Sequence, residues 1–244
     1  MKETTAILHS GLPREGPGSD ASTREALRRL PPLPEEPVVL DLGCGPGRQS
    51  LVLARVLRVK VTAIDIHQPY LDQLSRSAEA ERLAQFIEPC RADIGSLDIP
   101  DGSVDLVWSE GAAYIMGFQE SLRRWRRLLK PAGLVAVTEL CWLTDDPPDE
   151  PPAFWQRSYP AMATTSENCR RARSAGLDVL GRFTLPESDW WDEYYNPLLR
   201  RIAELRPSAN ALLADHLDQS EQEIELFRRH SGAYGYVFFL LRAT

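Results

Sequence analysis

The residues with the plainest chemical purpose are Asp41-Leu-Gly-Cys-Gly-Pro-Gly47 and two later acids, Asp65 and Asp93. Glycines let a backbone turn tightly and come close to a ligand without Cβ clashes. The stretch follows the apolar run Val38–Leu42, so it sits at the carboxyl end of a strand, where open α/β sheets bind ligands. Its glycines fall at 43, 45 and 47, and position 48 is arginine. A dinucleotide fingerprint needs its third glycine one position later, so the register argues against a nicotinamide ligand and for another nucleoside-containing one. Asp65 closes a second β-like run, where a carboxylate can accept both hydroxyls of a ribose. Asp93 follows a third, where an acid can accept from an adenine amine. Aspartate is common in turns; the weight lies in finding all three features, in order, on successive strands.

Those residues need a scaffold to hold them, and the surrounding pattern supplies one. Short β-rich runs at Val38–Leu42, Lys60–Asp65, Phe86–Cys90, Val104–Trp108 and Leu134–Leu140 alternate with helical patterns at Gln49–Leu57, Tyr70–Ala84 and Phe118–Leu129. The last of these helices is closed by Lys130-Pro-Ala-Gly133. The alternation predicts an α/β fold with a doubly wound, mostly parallel sheet. Beyond Cys141 the rhythm breaks. An acidic, proline-rich loop at Asp145–Pro152 precedes a largely helical Ala153–Gly176, a strand at Leu177–Leu185, helical patterns within Pro186–Ser231 and a final strand at Ala233–Arg242. Before the sheet, residues 1–37 are rich in proline and glycine, with one short helix at Asp20–Leu30 capped by Asp20 or Ser22.

Composition narrows the function. The chain has 244 residues, enough for one sizeable core, with 43% hydrophobic and 26% charged residues. No run of about 18 apolar residues suggests a membrane span, and the first ten residues lack the pattern of a signal peptide. A cytoplasmic protein that binds neither membrane nor nucleic acid is expected, since the net charge is −7 and phosphate binding calls for a basic surplus. The cluster Arg123, Arg124, Arg126, Arg127 and Lys130 alternates with Leu122, Trp125, Leu128 and Leu129, and reads as the solvated face of an amphipathic helix. Cys44, Cys90, Cys141 and Cys169 form no CxxC pair and no Cys/His zinc spacing, so reduced thiols and no metal are expected.

Taken together, Val38–Gly47, Asp65-Ile66, Asp93-Ile94, Asp101–Gly111 and Leu129–Glu139 resemble the motifs of the class I S-adenosylmethionine-dependent methyltransferases. The likeness is greatest to small-molecule enzymes of the ubiquinone/menaquinone C-methyltransferase type. A narrower likeness, carried by Gly16–Ser19, Trp108–Tyr114, Gly117-Phe118 and Tyr234–Phe238, is to a largely uncharacterised bacterial subgroup. The resemblance implies a Rossmann-like sheet of seven strands with an antiparallel last strand, and helical insertions at about 142–176 and 186–231 that cover the active site. It implies S-adenosylmethionine as cofactor, held by Asp41, Gly43, Cys44, Gly45, Gly47, Asp65, Ile66, Asp93, Ile94, Ser109 and Glu110. Arg14 joins this set if residues 1–37 fold over as a lid, meeting the carboxylate of the cofactor's amino-acid end.

The acceptor is a small molecule that the sequence does not name. Tyr114, Trp142, Tyr159 and Trp190 are candidates to line its pocket, among aromatics that otherwise pack the added helices. Tyr114, Glu139 and His9 are candidate bases, should the acceptor atom need one. A nicotinamide oxidoreductase and a non-catalytic binding protein on the same fold remain as alternatives. An RNA or protein methyltransferase is disfavoured by the acidic balance and by Ser109-Glu-Gly-Ala112, which is unlike the Asn-Pro-Pro-Tyr motif that serves planar amines. Oligomeric state stays open.

Overall fold

The computed structural model describes residues 3–244. Its centre is a sheet in the order β3-β2-β1-β4-β5-β8-β7. The strands are β1 (Val39–Leu42), β2 (Val61–Asp65), β3 (Ile87–Arg91), β4 (Val104–Ser109), β5 (Leu129–Trp142), β6 (Ala163–Thr164), β7 (Leu177–Thr184) and β8 (Tyr234–Ala243). β1 to β5 run parallel, while β8 pairs antiparallel with both β5 and β7. β1 and β4 are buried along their whole length, which is why both read as continuous apolar runs rather than alternating ones.

The helices are α1 (Glu3–His9), α2 (Asp20–Arg29), α3 (Arg48–Leu57), α4 (Gln68–Ala80), α5 (Phe118–Leu128), α6 (Glu150–Ser158), α7 (Thr165–Ser174), α8 (Glu187–Trp190), α9 (Asn196–Leu205) and α10 (Ala211–His230). α5 packs Leu122, Trp125 and Leu128 on one face of the sheet, with Phe118, Phe239 and Val137. Its exposed arginines pair with acids: Arg123 and Arg124 with Glu120, Arg127 with Asp101. The opposite face carries α3 and α4 through Leu51, Leu53, Leu71 and Leu74. A third cluster, around Trp155, Trp190, Tyr195, Phe227 and Tyr234, joins α6, α8 to α10 and the start of β8 above the carboxyl end of the sheet.

Three local expectations are corrected. The cap of α2 is Ser19, whose side chain accepts from Ser22 N. Lys130-Pro-Ala-Gly133 does not close a helix; it bulges within the 14-residue β5, and the pairing with β4 jumps from Val104↔Leu129 to Leu106↔Leu134. A bulge tolerates Pro131 because it makes no ladder demand there. Ala153–Gly176 is broken, since the chain leaves α6 at Tyr159, pairs Ala163 and Thr164 with the end of β5, and starts α7 from a Thr164 cap. That insertion gives the sheet its eighth strand. Within the helical stretch expected over Pro186–Ser231, α8 continues into α9 through a π turn at Trp191–Tyr195. Pro197 in the first turn of α9 has no N–H to donate, and a wider turn absorbs that loss.

Candidate active site

The turn after β1 is tied to β2, because Gly43 N and Cys44 N both donate to Ile64 O at 2.9 Å. Gly43 has φ +71°, and a Cβ there would lie 2.4 Å from Ala112 Cβ. Gly47 has φ +79°, and its Cβ would lie 2.4 Å from Leu74 Cδ1. Both positions therefore exclude side chains for two reasons, backbone conformation and space. Gly45 presents its open side to the N-terminal segment, where Glu15 Cγ is 3.4 Å from the site of a Cβ.

The turn's polar side chains point in different directions. Asp41 is fully buried beneath it and accepts from Ser50 Oγ and from Gln49 Nε2 at 3.4 Å. Burial pushes its carboxyl up to about 7. It thus braces the first turn of α3 from below. The Cys44 thiol is buried as well, and burial raises its pKa. Asp65 stands at the end of β2. Its Oδ2 accepts from Gly45 N at 2.9 Å, and its Oδ1 meets His67 N at 2.8 Å and His67 Nδ1 at 3.0 Å. Ile66 beside it is 51% exposed, an apolar side chain left open next to an acid. Asp93 is exposed, with Oδ1 accepting from Gly95 N at 2.8 Å, whereas Ile94 is buried under the turn near Gly43.

A strap formed by residues 11–19 crosses this turn. Arg14 Nη1 donates to Glu110 Oε2 at 3.1 Å, and Arg14 Nη2 to Asp20 Oδ1 at 3.3 Å. Glu110 also accepts from Thr23 Oγ1 at 2.7 Å and Trp108 Nε1 at 2.9 Å. Gln73 of α4 donates to Leu12 O at 3.0 Å, and Gly18 N to Asp189 O of α8 at 3.3 Å. Arg14 and Glu110, both expected from the sequence to hold the cofactor, are here bonded to each other. They fasten the strap over the glycine turn. Ser109 is another correction: it is wholly buried, and its Oγ donates to Leu42 O at 2.8 Å, locking β4 to β1.

A second group lies at the end of β5. Glu139 is 2% exposed and accepts a hydrogen bond from the Tyr159 hydroxyl. Burial pushes its carboxyl up to about 7, against the opposing pull of that hydroxyl and of Arg171. Tyr114, on the short turn after β4, sets its ring edge-to-face on Tyr159 at 6.0 Å and is 51% exposed. Tyr236 of β8 is close enough to feel the charge of Glu139. The result is a buried acid walled by tyrosines at the carboxyl end of the sheet, with β4 between its strand and β1.

The remaining candidates are elsewhere. Trp190 is 2% exposed and stacks on Phe227 with ring centroids 4.0 Å apart, so it is packed in the core of the cap. Trp142 lines a cleft between the ends of β5, β6 and β7 with Thr144, Thr164 and Arg182. His9 is buried between Thr5 O at 3.0 Å and the Tyr194 hydroxyl at 3.1 Å, and burial lowers its pKa. Sequence reasoning missed Glu15, Tyr70, Thr23, Asp189 and Tyr236. Local signals existed for Glu15, next to Arg14 in Arg14-Glu-Gly-Pro-Gly18, and for Tyr236, within Tyr234–Phe238.

Comparison with known proteins meets this geometry. The methyltransferase domain family matches residues 39–133, the span from β1 to the bulge of β5. A 2-methyl-6-phytyl-1,4-hydroquinone methyltransferase of Synechocystis is 30% identical over 172 residues, 66% of this chain and 52% of that protein. Residues 39–133 are thus similar to a methyltransferase domain, and the fold around them is that of an S-adenosylmethionine-dependent methyltransferase. The chain spans about half the length of the Synechocystis relative. An uncharacterised methyltransferase of Bacillus subtilis, YodH, is 25% identical and is matched over 91% of this chain and 92% of its own length. A methyltransferase structure from Thiobacillus denitrificans, in complex with S-adenosylhomocysteine, superposes with a TM-score of 0.82 at 23% identity, over 100% of this chain and 99% of that one. At that identity the superposition speaks for the fold. No helix among the described residues is long and apolar enough to cross a membrane, and no group of three potential metal ligands is found among them.

Proposed function

We propose that the protein transfers a methyl group from S-adenosylmethionine to a small-molecule acceptor, releasing S-adenosylhomocysteine. The observation that carries this reading is the glycine turn itself: a tight turn at the carboxyl end of β1 with Gly43, Gly45 and Gly47 all at positive φ, flanked by Asp65 and the exposed Ile66. The residues fit the cofactor. Asp65 would accept from the ribose, Ile66 would pack on the adenine, Asp93 would take its amine, and the backbone from Gly43 to Gly47 would face the methionine part. When bound, S-adenosylmethionine supplies an electrophilic methyl group that needs no metal. The protein's own contribution is alignment and proton handling. Glu139 would take the acceptor's proton at its carboxylate, with the Tyr159 hydroxyl holding that carboxylate in place and Tyr114 forming the wall above. An acid poised near 7 suits a base that works near neutral pH.

The hydroquinone acceptor named for the Synechocystis relative is an aromatic with ionisable hydroxyls. It supports a small aromatic acceptor that loses a proton on methylation. Residues 1–37, of which the first two lie outside the described residues, would serve as the lid, and residues 38–244 as the methyltransferase domain. Four free cysteines suit the reducing cytoplasm.

Titration calorimetry with S-adenosylmethionine and with a nicotinamide dinucleotide tests the cofactor. Binding of the first alone is expected, and binding of the second alone would overturn the reading. A panel of phenols, enols and amines, scored by S-adenosylhomocysteine release, then tests the acceptor class. Turnover is expected among compounds that must lose a proton.

A further inference from the structure

We infer that Glu15 contacts the cofactor and reads the positive charge of the methyl donor, favouring it over the neutral product. This rests on the methyltransferase reading above. The strap brings Glu15 against the open side of Gly45, with Cγ 3.4 Å from where a Cβ would stand. Its carboxylate bonds with the Tyr70 hydroxyl of α4 and lies near enough to Asp65 and Tyr114 for their charges to interact. It therefore sits among the residues assigned to the ribose and to the reacting end. One oxygen, Oε1, is buried without a hydrogen-bond partner among the described residues.

Among the described residues no cation pairs with this carboxylate. The adjacent Arg14 turns the other way and is engaged by Glu110 and Asp20. What surrounds Glu15 is a second acid and hydroxyl groups. Burial first, and then repulsion from Asp65, push its carboxyl up to about 7. A partly buried carboxylate without a counter-charge is costly to keep, and a cation placed in the cleft relieves it. S-adenosylmethionine brings such a cation in its sulfonium, and S-adenosylhomocysteine does not. The strap would then hold tighter over the donor than over the product, which aids product release.

The test is titration calorimetry near pH 8 on the wild-type protein and on Glu15→Gln and Glu15→Asp, with three probes. These are S-adenosylmethionine, S-adenosylhomocysteine and sinefungin, whose amine sits where the donor carries its methyl sulfonium. The wild type is expected to bind the two cationic probes about tenfold more tightly than the neutral one, the scale of one charged contact in a partly buried site. In Glu15→Gln that gap should close to about twofold while S-adenosylhomocysteine binds as before, and Glu15→Asp should keep part of it. An unchanged gap in Glu15→Gln, or equal weakening of all three probes with unaltered thermal unfolding, would overturn the inference and leave the methyltransferase reading standing. Failure of the wild type to bind any of the three would remove both.

Discussion

The half of the molecule from β1 to β5 and the cap from residue 143 to 231 are built on different terms. In the first half each proposed ligand contact stands near the end of a strand or in the turn after it: the glycine turn after β1, Asp65 at the end of β2, Asp93 after β3, Tyr114 after β4 and Glu139 near the end of β5. Backbone hydrogen bonds in a parallel sheet hold those ends side by side. In the cap, position comes from side chains packed on each other, as in the stack of Trp190 on Phe227 and the edge contacts of Tyr234 with Trp155 and Trp190. The lesson is that a motif can be read where the backbone places it, while an aromatic residue in the cap acquires its role from partners far away in sequence.

The largest expected effect sharpens this contrast. Trp190→Ala should cost about 3–5 kcal/mol of stability, as for other buried aromatics, measured by chemical denaturation. If Trp190 instead lined an acceptor pocket, KM would change and stability would hold. Next comes Glu139→Gln, expected to lower kcat about 10²–10⁴-fold with cofactor affinity preserved. The wild-type rate should rise with pH through about 7, since the carboxylate must lose its proton to act, and the Gln variant should lack that rising limb.

The same residue makes a stability prediction. Native Glu139 keeps its proton up to about 7, whereas the unfolded chain releases it near pH 4.3. The native state therefore binds more protons between those values, and stability falls as pH rises through that window. Glu139→Gln should flatten this fall and be the more stable protein near pH 8, as thermal unfolding at two pH values would show.

Two smaller effects probe the cofactor half. Asp65→Ala should weaken S-adenosylmethionine binding by about ten- to a hundredfold, the value of hydrogen bonds to a charged group. Ile66→Ser should weaken it only a few-fold, at roughly 1 kcal/mol. Because Ile66 is half exposed, its loss should leave thermal unfolding unchanged. A matching loss of stability in Ile66→Ser would show that the residue packs the fold and faces no ligand.

Much of the cofactor half was legible in the chain. The strands β1 to β5 and their order of use follow from apolar runs and helical periodicity, and the 43/45/47 register separates this turn from a dinucleotide loop. Side-chain direction was less legible within the same motif. Asp41, Cys44 and Ser109 lie in or beside the matching segments, yet all three are buried and serve the scaffold. Alternation along a strand says that a residue turns one way or the other, and only the neighbouring layer says which of those ways meets solvent. Arg14 and Glu110 show a further limit, since an attraction between residues 96 positions apart has no local trace.

By itself, then, the sequence determined the α/β class, the turn from Asp41 to Gly47 and the acids that follow it, because those depend on short-range backbone preference and the period of burial. Tertiary structure alone decided that the strap carries Glu15 onto Gly45, that Tyr159 and Tyr114 enclose Glu139, and that Trp190 is core. Each of those contacts closes a long loop of chain, and its partner is selected by packing and charge rather than by spacing.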